Sequence, residues 1–191
     1  DESMIWLNSE SSIRYPLAFY DNKRKVEQTG EAYFEVAKDP GRKFIVTHNN
    51  IATEVLGTHF NINSYSDEPD VKITLLEGSV RIVKNNESKI LKPGEQAKVS
   101  SDIRMADDVD LEEVMAWKNG YFQFAGAGIE DVMRQVSRWY DVEVTYEGKP
   151  KEQHFRGGIA KDVEVSSVFK MLETTGAVHF RIEGRRIVVM P

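Results

Sequence analysis

YFQFAGAGIEDVMRQVSRWYDVEVTYEG, residues 121–148, decides how the second half of this chain folds. YFQF opens it as a strand. Ile129, Val132, Met133 and Val136 then recur at i, i+3, i+4 and i+7, the spacing of a helix with one apolar face. DVEVTY returns to strand alternation and stops at Glu147-Gly148. The same order follows in HFRGGIAKDVEVSSVFKMLETTGAVHFRIEG, residues 154–184, at an offset of 36 residues. That offset carries Ile129 to Val165, Val132 to Val168, Met133 to Phe169, Val136 to Leu172, Val142 to Val178 and Gly148 to Gly184. Gly176, after Thr175, is a helix stop. A last strand, RRIVVM, follows the turn at Glu183-Gly184. The reading is βαβ–βαβ–β. Two units are too few for a solenoid, so they are expected to make one small α+β domain with two helices packed on short sheets.

Working outward, residues 4–100 have a different grammar. Ala32, Phe34 and Val36 alternate with Tyr33, Glu35 and Ala37, and Val71, Ile73 and Leu75 do the same before Gly78, with Val80 and Ile82 continuing after it. Alternation of this kind turns one strand face to a core and the other to water. Asn49-Asn50, Gly57, Asn85-Asn86 and Pro93-Gly94 punctuate the strands as turns. The fold class is therefore mainly β plus α+β: a β-sandwich (jelly-roll-like) or short twisted β-barrel, then the βαβ-repeat domain. Residues 101–113, with Asp102, Asp107, Asp108 and Asp110, read as a linker, with a solvated loop or strand as the alternative. The expected domains are 1–110 and 111–191.

Composition narrows the function. At 40% apolar and 29% charged, the chain belongs with ordinary globular domains. Net charge is −6; residues 1–110 carry 14 basic and 19 acidic side chains, the remainder 11 and 12. Neither part offers the basic stripe of a nucleic-acid binder or the basic amphipathic helix of a membrane-surface protein. No apolar run approaches a membrane span and no signal peptide precedes Asp1, so the sequence is read as a piece of a longer protein. The lack of cysteine excludes disulfides, thiolate metal sites and cysteine nucleophiles, and leaves the compartment open.

Catalytic patterns are missing too. His48, His59, His154 and His179 have no partner at metal-binding spacing, and each is read as a surface or hydrogen-bonded histidine. His59 is expected on the strand face opposite Phe60 and Ile62. Gly126 and Gly128 lack the third glycine of a dinucleotide loop and are read as turn residues. Glu31 with Glu35, or Glu77 with Glu95, are the carboxylate pairs a glycosidase could use. Nothing in the spacing brings them face to face. Asn86-Glu87-Ser88 matches a glycosylation sequon in a turn-like polar stretch. Trp139 and Tyr140 are expected at a core edge. No catalytic residue, metal or cofactor is assigned, and the chain is expected not to be an enzyme.

WLNSESSIRYP (6–16), GEAYFEVAKDPGRKFIV (30–46), VLGTHFNINSY (55–65), ITLLEGSV (73–80) and LKPGEQA (91–97), in this order, closely resemble the blocks of the FecR-type domain of transmembrane anti-sigma regulators. WKNGYFQF (117–124) and DVMRQVSRWYDVEV (131–144) resemble the module that often follows it, itself similar to the short N-terminal domain of secretins and TonB-dependent receptors. The resemblance spans nearly the whole chain. It implies the periplasmic region of a single-pass inner-membrane protein of a Gram-negative bacterium, here without its cytoplasmic anti-sigma segment, membrane helix and earliest strand or strands. It also implies a role: sensing the occupied state of an outer-membrane TonB-dependent transporter through that transporter's signalling domain. The message would pass by regulated proteolysis to an extracytoplasmic-function sigma factor. An all-β ligand-binding module, for instance one for glycans, is the competing class, and an exposed aromatic row on one sheet face would mark it.

A small double-βαβ domain cannot close its sheets, so at least one strand edge is expected to stay open for pairing. The candidate partner-binding edges are Val142, Glu143, Val144, Thr145 and Tyr146, and Arg186, Ile187, Val188 and Val189. One of these two strands is expected to be central instead.

Overall fold

The computed structural model describes residues 1–19, 22–107, 109–149 and 151–191. Asp108, part of the acidic stretch, lies outside the described residues. The chain forms two compact units, Asp1–Met115 and Ala116–Pro191.

The first unit runs β1 (Met4–Leu7), β2 (Ser12–Arg14), β3 (Lys23–Glu35), β4 (Lys43–His48), β5 (Ile51–Val55), β6 (His59–Ser64), β7 (Val71–Glu77), β8 (Val80–Lys84), β9 (Glu87–Leu91), β10 (Gln96–Val99) and β11 (Ile103–Ala106), then a short helix α1 (Leu111–Met115). Hydrogen bonding orders the strands β11-β10-β7-β6-β3-β4-β5-β8-β9, with β1 and β2 laid along the remaining side of β3. The end strands β11 and β9 come into contact, so the sheet is nearly closed. It encloses one core that includes Phe34, Phe44, Phe60, Ile73, Leu75, Ile82 and Leu91. Barrel-like closure and a sandwich-like corner are both present.

The corner is Gly30. Residues before it in β3 pair with β2 and, in parallel, with β4, while those from Gly30 onward pair with β1 and β6. One strand thus serves both layers. Bending it there withdraws backbone groups from the ladder, and side chains replace them. The Gly30 carbonyl accepts from Gln28 Nε2 at 2.8 Å and Ser64 Oγ at 2.9 Å, and the Glu31 N–H donates to Ser11 Oγ at 2.8 Å. Farther back in β3, the buried Arg24 guanidinium donates to the carbonyls of Arg42 and Ala37 and to Asp1, over the Phe44 ring.

The linker reading is corrected. Ile103–Ala106 is a strand, paired antiparallel with β10 from Gln96↔Ala106 to Val99↔Ile103. Ile103 reaches the core while Arg104 pairs with Asp70. Asp110 Oδ1 then accepts from the N–H groups of Glu112 and Glu113, capping α1. With only Ile103 buried in the strand, alternation is too brief to stand out in sequence.

The second unit has the element order of the repeat: β12 (Tyr121–Ala127), α2 (Ile129–Tyr140), β13 (Glu143–Tyr146), β14 (Phe155–Ala160), α3 (Val165–Glu173), β15 (His179–Glu183) and β16 (Arg186–Met190). β12 pairs antiparallel with β14, and β13, β16 and β15 form a second sheet in that order. The helices lie between the two sheets, since one core joins Phe122 and Ile159 to Val132, Val136, Val168 and Leu172, and these to Ile187 and Val189. β13 runs parallel and β15 antiparallel to β16. β13 and β15 are therefore antiparallel to each other, as β12 and β14 are, and a pseudo-two-fold axis relates the repeat halves. β16 has no copy and lies on that axis.

Candidate functional site

The three-stranded sheet of the second unit carries the candidate site. β16 is central, bonded to β13 on one side and β15 on the other. Arg186, Ile187, Val188 and Val189 are therefore not an edge, which corrects that half of the sequence reading. The physical reason is visible in RIVVM: Ile187, Val188 and Val189 are all buried, as a strand covered on both faces requires.

β13 is an edge. Its N–H groups at Glu143 and, just past the strand, Glu147 donate to Arg185 O at 2.8 Å and Val189 O at 2.9 Å. Parallel pairing uses alternate residues, so Thr145 also bonds inward and Val144 and Tyr146 present their N–H and C=O groups to the open side. Val142 precedes the strand, its N–H bonded to Ser137 O at 3.2 Å. Asp141, in the left-handed region at φ 53°, closes α2, with its carboxylate and carbonyl held by Arg185. Glu130 and Asp131, with Arg134, flank Tyr146, whose phenol is pushed up by burial first and by Glu130 next.

The other edge of this sheet is β15, which the sequence reading does not name. Its outward N–H at Phe180 is taken by Glu173 Oε1 at 2.8 Å. The repeat offset itself is the signal that could have found it, because β15 is the copy of β13.

The aromatic pair at the end of α2 is a clamp. Trp139 Nε1 donates to Lys161 O at 2.9 Å and Tyr140 Oη to Val163 O at 2.7 Å, so both rings hold the loop between β14 and α3. The Lys161 ammonium lies over the rings of Trp139 and Phe122, at 4.6 and 5.0 Å.

The residues weighed for chemistry have structural partners. Glu31 is buried and accepts from Asn8 Nδ2 at 2.8 Å and Asn61 Nδ2 at 3.0 Å. Glu31 and Glu35 lie four residues apart on one strand, about 13 Å at the usual rise, beyond the carboxylate separations of glycosidases. Glu95 Oε2 accepts from the Lys92 N–H within its own turn, and Glu77 pairs with His59 at 3.3 Å. His59 is on the face opposite the buried Phe60 and Ile62. His48 Nδ1 lies 3.2 Å from Gln28 O, and His154 Nδ1 3.1 Å from Gly126 O. His179 faces Glu173 at 4.0 Å. Gly126 sits at a bulge in β12, and Gly128 precedes α2. No group of three or more His, Cys, Asp or Glu suited to a metal occurs among the described residues. In the first unit the exposed large aromatics among the described residues reduce to Tyr15, so no aromatic row marks a glycan platform.

The sequence blocks of the first unit converge on packing. Val36 and Thr58 exchange backbone hydrogen bonds at 3.0 and 3.3 Å, and Thr58 Oγ1 donates to Ser79 O at 3.1 Å. A Cβ at Gly78 would stand 2.9 Å from Gly57 O. Those blocks hold backbone against backbone where three strands end.

A mainly β unit is followed by a double-βαβ unit in which β13 is an edge strand. Residues 1–81 match the family model described as FecR protein, and residues 121–189 the model described as FecR, C-terminal. The chain belongs to the FecR family of anti-sigma regulators. Two crystal structures of a candidate anti-sigma factor from Parabacteroides distasonis ATCC 8503, at 1.65 and 2.50 Å resolution, are similar throughout. Each is 27% identical with a TM-score of 0.88; the matches cover 99% and 100% of this chain and 90% of the neighbour. No curated protein matches. No helix among the described residues is long and apolar enough to cross a membrane.

Proposed function

We propose that this chain is the periplasmic signal-relay region of a membrane-anchored anti-sigma regulator. It senses an outer-membrane TonB-dependent transporter through the transporter's signalling domain and so controls an extracytoplasmic-function sigma factor. It acts by binding and not by catalysis, and it works as two domains, the β domain and the βαβ-repeat domain. The observation that carries this reading is the open edge of β13 in a module of the FecR C-terminal family. An extended segment of the signalling domain adds to β13, pairing with the outward backbone groups of Val144 and Tyr146. Side chains of the added strand that point toward α2 meet Glu130 and Arg134, which supplies selectivity.

The test uses purified signalling domains of the transporters encoded beside the gene, captured on the immobilised 1–191 chain. One of them is expected to bind, and Tyr146→Pro, which removes an outward N–H, is expected to weaken it at least about ten-fold. Absence of binding by every such domain overturns the sensing role. Full affinity in a folded Tyr146→Pro chain overturns the docking mode.

A further inference from the structure

Ser137 and Glu173 are the same position in the two halves of the repeat, and so are Val144 and Phe180, each pair separated by 36 residues. Val144 and Phe180 are also equivalent in the sheet. Each lies on a strand flanking β16 with its N–H directed away from it. Their amides nevertheless have different fates. Glu173, at the end of α3, reaches over and accepts the Phe180 N–H at 2.8 Å. Ser137, at the matching place in α2, turns its hydroxyl back to Arg134 O at 3.0 Å and leaves the Val144 amide to the open side.

We propose that Glu173 is an edge-capping residue that closes β15 to strand addition. Ser137, in its place, keeps β13 open, and this one difference sets the side of the three-stranded sheet on which a partner strand docks. A carboxylate suits the task for two reasons. It satisfies the N–H that would anchor an incoming carbonyl, and its negative oxygens repel that carbonyl. The capped edge needs closing, because Ile182, next along it, is 47% exposed and would offer an apolar side chain to any added strand. The choice of side rests on the strand-addition reading above; the capping itself does not.

Amide hydrogen exchange in the 1–191 chain separates the two. Glu173→Ser is expected to speed exchange at Phe180 about ten-fold or more, with Val189 in the central strand unchanged as the control for folding. Glu173→Gln, which keeps an acceptor oxygen, is expected to retain most of the protection, and it serves if the serine variant unfolds. Ser137→Glu is expected to slow exchange at Val144 and to cut affinity for the bound signalling domain about ten-fold or more. Unchanged exchange at Phe180 in Glu173→Ser, or at Val144 in Ser137→Glu, overturns the capping proposal. Protection gained at Val144 with affinity undiminished leaves capping in place and overturns docking on β13.

Discussion

The room that a side chain at Gly30 would need is held by Ser11: a Cβ there would lie 2.3 Å from Ser11 Oγ and 2.8 Å from its Cα. The same Ser11 hydroxyl accepts the N–H of Glu31, so the residue that excludes a side chain also repairs the ladder at the bend. Gly30 is in the left-handed region at φ 78°, so geometry and packing both demand glycine.

Gly30→Ala is expected to destabilise the first unit by about 2–4 kcal/mol, combining left-handed strain with the overlap at Ser11. Denaturant unfolding followed by Trp6 fluorescence measures it. A loss below about 0.5 kcal/mol would mean that the corner relaxes easily and is no constraint on the fold.

Two cavities test the repeat. Val136 and Leu172 are matched positions, 0% and 4% exposed. Leu172→Ala should cost about 3 kcal/mol and Val136→Ala, which removes less, about 2 kcal/mol. Thermal unfolding of residues 116–191, monitored by circular dichroism, gives both values. Negligible change at both would place the inner helix faces elsewhere.

That experiment presumes a unit that folds alone, which is itself testable. The 116–191 fragment is expected to unfold in one cooperative transition, because it owns a complete core. A fragment without a sigmoidal transition would tie the two units into one folding domain.

Thr145 and Tyr146 are neighbours with opposite obligations. Thr145→Pro removes an inward bond to β16 and should cost about 3 kcal/mol or more, whereas Tyr146→Pro removes an outward N–H and should cost less. Chemical denaturation ranks them. Equal losses would contradict the alternation assigned to β13.

Alkaline pH probes Tyr33. Its phenol, buried and hydrogen-bonded to Glu35, is pushed up to about 12 from an ordinary value near 10. The raised value means that the fold favours the neutral phenol. That stability is complete below pH ~10 and is lost as pH rises through ~12, amounting to about 3 kcal/mol at most. Tyr33→Phe should flatten the profile between those limits. A wild-type stability independent of pH across them would refute the assignment.

Which features sequence could yield follows from how many residues report each one. The repeat was legible because each half has a full helical stripe, so Val132 and Val168 recur with their neighbours. β11 was hidden because Ile103 is its sole buried residue. The corner was hidden because Gly30 does not end the strand: β3 runs through it, with burial alternating up to Thr29 and continuous from Gly30 to Phe34. The open edge was half legible. EVTY and RIVVM both read as strands, but only the run of three buried residues in the second marks a strand with neighbours on both sides. The cap at Phe180 needed Glu173, seven residues away, and no local pattern links a helix-end carboxylate to an amide in the next strand.

A peptide chain has a head and a tail, and no two-fold axis crossing it can preserve that direction. β16 occupies such an axis, so it must treat its two flanking strands unequally: it runs with one and against the other. The slanted bonds of the parallel ladder hold slightly less firmly per residue than the straight ones. The two halves are alike, but the one strand without a copy, β16, gives the sheet a weak flank and a strong flank. The weak flank is β13, so any loosening of the sheet begins where its backbone is already bare.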